Sequence, residues 1–456
     1  MAGLTGMSRP LRNALIGIAI VAIVGLIGWF GWVAEPGPMA FAGGPRVALA
    51  DYHGQNPTGV PASLAGAGLV ARGEYLTRAA DCMACHTAPG GKPFAGGLAI
   101  RTPFGTLYSP NITPDRETGI GTLTDADFVR VLHQGVMPDG THLYPAMPYV
   151  AYSYMTDADA LAIKAYLFSL EPIHALTPRD TLAFPYNQRW LMAIWQTVYN
   201  PDTRFEPRSD RSAQWNRGAY LVEALAHCGD CHTSRNRLQA LDNRDKFSGA
   251  SAAGWRAYNI TADDRSGIGG WSDAALAQYL STGHAEDRGT ASGTMGEAVD
   301  RSLSYLVPTD IQAIVAYLRT VPAVSSTEEP AVRVSLAPAS YREGVPAHFD
   351  PLGRQVFEGA CVSCHSWSGR SMLTPYATLT GARAVNDPSA TNVVQIVISG
   401  MTRRSADGTI TMPAFGAAYS DAEIAAVANY VTERFGAVTA RVRPEEIRLL
   451  RSQTSQ

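Results

Sequence analysis

Residues 14–34 form an unbroken run of 21 residues without a charge, with Arg9 and Arg12 just before it. As a helix this run is about 31 Å long, enough to cross a bilayer. The arginines then stay on the cytoplasmic side, and everything after Glu35 lies outside it. Ala40-Phe41-Ala42 resembles a signal-cleavage site, but a signal core is usually shorter, about 7–15 residues. A retained membrane anchor over residues 1–34 is the expectation, and either reading exports the body of the chain.

Beyond the anchor, residues 35–71 are rich in Pro, Gly and Ala and read as a linker. One helical pattern then recurs. A first unit, 72–175, opens with Arg72-Gly73-Glu74-Tyr75-Leu76. A second, 213–322, opens with Arg217-Gly218-Ala219-Tyr220-Leu221, and a third, 348–437, opens around Gly353 and carries Phe357. Each opening predicts a short helix with an aromatic turned inward. Each unit also closes alike, on helices containing Ala165-Tyr166-Leu167, Ala316-Tyr317-Leu318 and Asn429-Tyr430-Val431. Thr309 with Gln312, and Ser420 with Glu423, predict capping boxes; Thr156 with Asp159 fits less well. The apolar face of each closing helix is expected to pack on the opening helix of its own unit.

Residues 438–456 read as a polar tail. The long connectors, 171–212 and 321–347, have to be packed if the units act together. Arg189, Trp190 and Trp195 in the first connector are either interdomain contacts or core residues. The expected fold is mainly α with little sheet. Composition agrees: 456 residues suffice for about three domains, and 46% hydrophobic with 17% charged residues indicates real cores. A net charge of -3 gives no basic face for nucleic acid.

The chemistry lies in the cysteines. Cys-x-x-Cys-His occurs at Cys82–His86, Cys228–His232 and Cys361–His365, and these copies use all 6 cysteines. The pattern is the attachment signal of c-type haem: Cys82 and Cys85, Cys228 and Cys231, Cys361 and Cys364 can each bind a haem covalently. His86, His232 and His365 can then ligate the iron. Thiolate zinc sites want four ligands, usually as paired Cys-x-x-Cys elements, and these pairs are far apart. A disulfide framework does not suit so long a chain with so few cysteines. A thioredoxin-like pair would not recur three times with a histidine attached. Three covalent haem c groups are expected.

A sixth iron ligand should come from between the opening and closing helices. Methionine thioether suits haem iron and raises its potential. Met147, Met295 and Met412 all stand shortly before the closing helix. Met137 and His142 compete in the first unit, His284 in the second, and Met372 and Met401 in the third. The first two units also share Asn111-Ile112-Thr113 and Asn259-Ile260-Thr261, followed by Gly119-Ile120-Gly121 and Gly267-Ile268-Gly269. These segments are expected to make turns along the haem edge.

With these motifs the chain resembles the membrane-bound triple-haem cytochrome c subunits of bacterial alcohol, aldehyde, gluconate and related sugar dehydrogenases. The resemblance covers about residues 71–434. It also draws on Leu143-Tyr144-Pro145-Ala146-Met147-Pro148-Tyr149, on His227 before Cys228, and on Trp215-Asn216-Arg217-Gly218. With the anchor read from residues 14–34, the expected fold is three tandem class I cytochrome c-like domains after one N-terminal transmembrane helix, whereas many subunits of that family carry a cleaved signal and attach by weaker contacts. The resemblance implies Met147, Met295 and Met412 as distal ligands. It implies electron relay from a periplasmic dehydrogenase catalytic subunit to ubiquinone, with the haem domains on the periplasmic side of the cytoplasmic membrane. The partner's cofactor, whether quinone, flavin or molybdenum, stays open. Two other functions are weighed: electron input to a terminal oxidase or other respiratory complex, and a multihaem peroxidase or reductase. The second would need an open sixth position on one haem.

Overall fold

The computed structural model describes residues 35–325, 350–405 and 408–453. Its repeated element is a crossing of two helices. Leu69–Ala79 (α1) opens the first unit, and Cys82–Cys85 (α2) carries its haem motif. A hairpin of Ala99–Thr102 (β1) and Gly105–Tyr108 (β2) comes next, then helices Asp125–Gln134 (α3), Tyr149–Tyr152 (α4) and Asp157–Phe168 (α5). The connector helix Leu191–Tyr199 (α6) leads to Ala213–Tyr220 (α7), which opens the second unit.

The second unit continues through Gly229–His232 (α8), hairpin Ala250–Ala252 (β3) with Trp255–Ala257 (β4), and Asp273–Thr282 (α9). Hairpin His284–Ala285 (β5) with Gly289–Thr290 (β6) precedes Gly293–Arg301 (α10) and Pro308–Leu318 (α11). The third unit holds Pro351–Val356 (α12), Val362–His365 (α13) and Thr391–Ser399 (α14). Hairpin Met401–Ser405 (β7) with Gly408–Met412 (β8) and helices Asp421–Phe435 (α15) and Pro444–Gln453 (α16) complete it.

In every unit the opening helix packs on the closing one: α1 on α5, α7 on α11, and α12 on α15. Glycine makes the close approach possible. A Cβ at Gly73 would strike the carbonyl oxygen of Ala162, one at Gly218 that of Ala313, and one at Gly353 that of Ala426. Burial is shared unequally. The first two units bury one continuous apolar cluster running from Tyr75 through Phe205 and Tyr220 to Val321. The third has its own, around Phe357, Ile424 and Tyr430.

Several expectations need correction. Among the described residues no helix is long and apolar enough to cross a membrane. The longest, α15, has 15 residues, about 22 Å, against a hydrocarbon core of about 30 Å. Residues 14–34, on which the expected transmembrane helix falls, lie outside the described range. Among the described residues the fold is therefore helical units with small hairpins, without a membrane-spanning helix. The capping box at Thr309 is absent: Pro308 occupies the first helical position and Val307 the cap. The box at Ser420 and Glu423 is present. At Thr156 the hydroxyl accepts from Asp159 N at 3.1 Å, but the Asp159 carboxylate is engaged elsewhere.

The segment read as a polar tail contains α16, whose Ile447 is fully buried and whose Arg451 pairs with Asp421 at 2.7 Å. The segment read as a linker is packed too. Arg208 donates to Gly44 O at 2.6 Å and Met39 O at 3.0 Å, and Arg217 donates to Pro57 O and Gly59 O. These arginines satisfy carbonyls along the segment, and Met39 O accepts from Ala42 N as well. Trp195 of α6 bridges units: its ring meets Tyr149 edge-on, and its indole donates to Leu238 O at 2.8 Å. Trp190 is exposed. Of the second connector, residues 326–347 lie outside the described range.

Candidate haem sites

Each Cys-x-x-Cys-His copy sits on a short helical turn, α2, α8 or α13, directly after the opening helix. In the second and third units the passage is a π-helical turn, Leu221–Leu225 and Phe357–Cys361. Such a turn inserts one extra residue and so re-aims the haem motif beyond it. Burial pushes the thiols of Cys82, Cys85 and Cys228 up to about 12, and those of Cys231 and Cys361 up to about 11. They are neutral at pH 7. Cys85 and Cys364 nevertheless reach solvent, and the other four are half-buried.

The three histidines share one geometry. His86 Nδ1 lies 2.8 Å from Pro110 O, His232 Nδ1 2.6 Å from Tyr258 O, and His365 Nδ1 2.6 Å from Ala377 O. A carbonyl only accepts, so Nδ1 carries the proton and Nε2 is left with its lone pair. Burial lowers all three histidine pKa values, which keeps the rings neutral. A metal-ligating imidazole needs this arrangement: fixed tautomer, fixed plane and a basic free nitrogen.

The Asn-Ile-Thr segments explain how the carbonyls are held. Pro110 and Tyr258 immediately precede Asn111 and Asn259. The Asn111 side-chain oxygen accepts from Thr113 N at 2.9 Å, and its amide donates to Ile173 O at 2.7 Å. Asn259 accepts from Thr261 N and donates to Val324 O, both at 2.8 Å. Each asparagine makes a turn, as expected, and also ties that turn to the chain beyond the closing helix. The third unit holds Ala377 O in a short turn at Pro375–Ala377 instead.

The proposed distal methionines fall at comparable places. Met147 lies after the turn before α4 and is half-buried against the shared core. Met295 lies in the first turn of α10, also against that core. Met412 is the cross-strand partner of Met401 on the β7–β8 hairpin, so both side chains share a face. Met401 sulfur accepts from Ser292 Oγ at 3.1 Å. Among the competitors, Met372 is 90% exposed, His142 Nδ1 is bound to Gln196 at 2.5 Å, and His284 Nδ1 to Thr290 at 3.0 Å.

The sites are also joined to each other. Arg301 of α10 donates to the carbonyl of Met83, inside the first haem motif, at 3.1 Å. The Tyr152 ring meets His227, next to Cys228, edge-on at 5.6 Å. Tyr258, whose carbonyl holds His232, places its hydroxyl 3.3 Å from Asp387 of the third unit. Tyr376, next to the carbonyl that holds His365, accepts from Thr290 of the second unit at 3.1 Å, and its ring lies 4.6 Å from His284.

A sequence profile described as Cytochrome c matches residues 70–171 and 352–434. The fructose dehydrogenase cytochrome subunit of Gluconobacter japonicus is 38% identical over 402 residues, 84% of this chain and 82% of that protein. The chain belongs to the cytochrome c subunits of dehydrogenase complexes. The gluconate 2-dehydrogenase cytochrome c subunit of Pantoea cypripedii is likewise 38% identical, over 84% of this chain and 89% of its own length. The cytochrome c subunit of alcohol dehydrogenase (quinone) from Gluconobacter oxydans is 32% identical, over 81% and 79%.

Covalently bound haem c is the cofactor of such a cytochrome subunit. The donor sets fit it: paired neutral thiols, a neutral imidazole with Nε2 free, and a soft thioether on a nearby element. Sequence reasoning missed the residues that join this subunit's haem sites, namely Arg301, Tyr258 and Tyr376. They carry no motif, because their partners stand between 86 and 218 positions away along the chain.

Proposed function

We propose that this chain relays electrons from a dehydrogenase catalytic subunit to membrane ubiquinone through three covalently attached haems. The carrying observation is the histidine geometry. Three units hold a neutral imidazole by Nδ1 on a backbone carbonyl, beside a thiol pair. Haem held between His and Met has both axial positions filled, so it exchanges one electron and offers no open site for substrate. Met147, Met295 and Met412 are the proposed distal ligands of His86, His232 and His365 respectively.

The relatives support the partner, since they are cytochrome subunits of fructose, gluconate and alcohol dehydrogenases. The last of these is described as a quinone enzyme, which favours a quinone as the acceptor. The thiols have to meet haem on the exported side of the cytoplasmic membrane, so the haem domains are placed in the periplasm.

The test combines purification with one substitution. A dehydrogenase catalytic subunit should co-purify from solubilised membranes, and the complex should reduce ubiquinone. Met295→His should keep the haem attached, lower the second centre's potential and slow quinone reduction. Substrate oxidation by an artificial acceptor at the catalytic subunit should persist. An unchanged second potential removes Met295 as the ligand. Co-purification with an oxidase instead would overturn the partner.

A further inference from the structure

Among the described residues Arg403 is the bulkiest fully buried side chain, 1% exposed. It stands on β7 of the third unit, yet its partners lie in the second. Its Nη1 donates to Gly296 O at 2.8 Å and lies 3.2 Å from the Asp300 carboxylate. Its Nη2 donates to Thr282 O at 3.0 Å. Thr282 ends α9, where unpaired carbonyls favour a cation. Gly283, at φ +72, leaves the space, for a Cβ there would overlap the guanidinium.

The same strand grips α10 twice. Arg403 holds Gly296, the residue after Met295, and Asp300 in the last turn. Two residues earlier, Met401 sulfur accepts from Ser292, the residue that caps α10. Met401 in turn pairs across the hairpin with Met412. One β-strand therefore spans the helix that carries the second site's methionine and connects it to the third site's methionine.

A buried guanidinium is costly unless its donors are met; both terminal nitrogens of Arg403 find partners while its Nε has none, so the joint takes its register from the two terminal nitrogens. Lysine could not reproduce it, since its single ammonium lacks the planar fork that reaches partners on two elements and a carboxylate.

We propose that Arg403 is a positioning residue that fixes the third unit on the Met295 helix and thereby sets electron transfer between the second and third haem sites. This rests on the relay reading above. Electron tunnelling weakens exponentially with separation, so a joint that slips slows the transfer across it and leaves the other step alone.

The test uses the full-length, haem-loaded chain. Electrons are injected by a light pulse, and equilibration among the centres is followed spectrally, with each centre's potential measured alongside. Arg403→Gln should keep the haem content and the first-to-second step. The second-to-third step should slow severalfold, because tunnelling weakens with each ångström by which the joint slips. Arg403→Lys should fall between. An unchanged second-to-third step, or equal slowing of both steps, overturns the proposal. If Arg403→Gln does not fold, Asp300→Asn, which spares both carbonyl bonds, should still slow the same step by a smaller factor, and no slowing there overturns it. A wild-type chain in which electrons never pass between the second and third centres overturns the relay reading itself.

Discussion

Tyr75 and Tyr220 make the same bond in opposite directions across the first two units. The Tyr75 hydroxyl donates to Asp310 at 2.7 Å, and the Tyr220 hydroxyl donates to Asp159 at 2.5 Å. Each tyrosine stands two residues after its unit's crossing glycine, and each aspartate sits in the first turn of the other unit's closing helix. Each hydroxyl also accepts from the residue that caps that helix, Val307 N and Thr156 N, both at 3.3 Å. The two units thus dock about a local two-fold axis, and Arg217 adds a pair with Asp310 at 2.6 Å. The third unit has Gln355 at the corresponding place and does not join this interface.

Tyr220→Phe should destabilise the joined units by about 2 kcal/mol, because a buried carboxylate loses a charged hydrogen bond. Tyr75→Phe should do the same, while Gln355→Ala should be near neutral. Denaturant unfolding measures all three. A Tyr220→Phe protein as stable as wild type would mean that the interface does not depend on this bond.

Lys246 and Glu223 form a buried ion pair at 2.7 Å, and the Tyr317 hydroxyl donates to Glu223 at 2.6 Å. Lys246→Met should cost about 3 kcal/mol by leaving the carboxylate buried without its cation. Combining it with Glu223→Gln should recover most of that loss. Thermal unfolding of the single and double variants decides whether the pair behaves as a unit.

Met412 is the proposed ligand at the third candidate haem site, and Met401 is its competitor. Met412→Leu should abolish the sulfur-to-iron absorption of that centre and shift its potential. Met401→Leu should preserve both. The reverse outcome would move the ligand to Met401.

Removing one thiol pair tests the attachment directly. Cys228→Ala together with Cys231→Ala should lower covalent haem by one third, as read from pyridine haemochrome per chain. Haem that leaves the wild-type protein in acidified acetone would contradict covalent attachment at all three pairs.

His133 gives a pH dependence. It is buried with neither ring nitrogen hydrogen-bonded, and burial, with help from Arg204, pushes its pKa down to about 4. The unfolded chain binds this proton near the ordinary value of 6.5, so the folded state loses stability as pH falls from 6.5 to about 4. Above that window the contribution is complete, and below it the loss levels off. At about 1.4 kcal/mol per pKa unit the change reaches about 3 kcal/mol. His133→Phe should flatten the stability profile across that interval, as measured by unfolding at several pH values.

Some of this was legible in the chain. The crossing helices arise from apolar spacing with a glycine at the contact, both local properties of sequence. The Ser420–Glu423 box is equally local and is present. The box read at Thr309 fails because Pro308 fits the first helical position and moves the start forward. At Thr156 the local rule is overridden, since Tyr220 and Gly59 take the Asp159 carboxylate. The α16 helix shows in the sequence only as Ile447, Leu449 and Leu450, too short a stripe to predict without the surface it covers.

Sequence by itself determined which atoms can hold haem, because attachment needs two thiols and an imidazole at fixed spacing on one turn of chain. It also determined the repeated units, since helix periodicity is set within a dozen residues. Tertiary structure decided what those units do to one another: the reciprocal Tyr75–Asp310 and Tyr220–Asp159 bonds, the docking of residues 35–68, and the insertion of Arg403 beside Gly296. These contacts join residues between 61 and 235 positions apart. A side chain's partner at that range is fixed by how whole surfaces pack, and no local spacing in the chain records it.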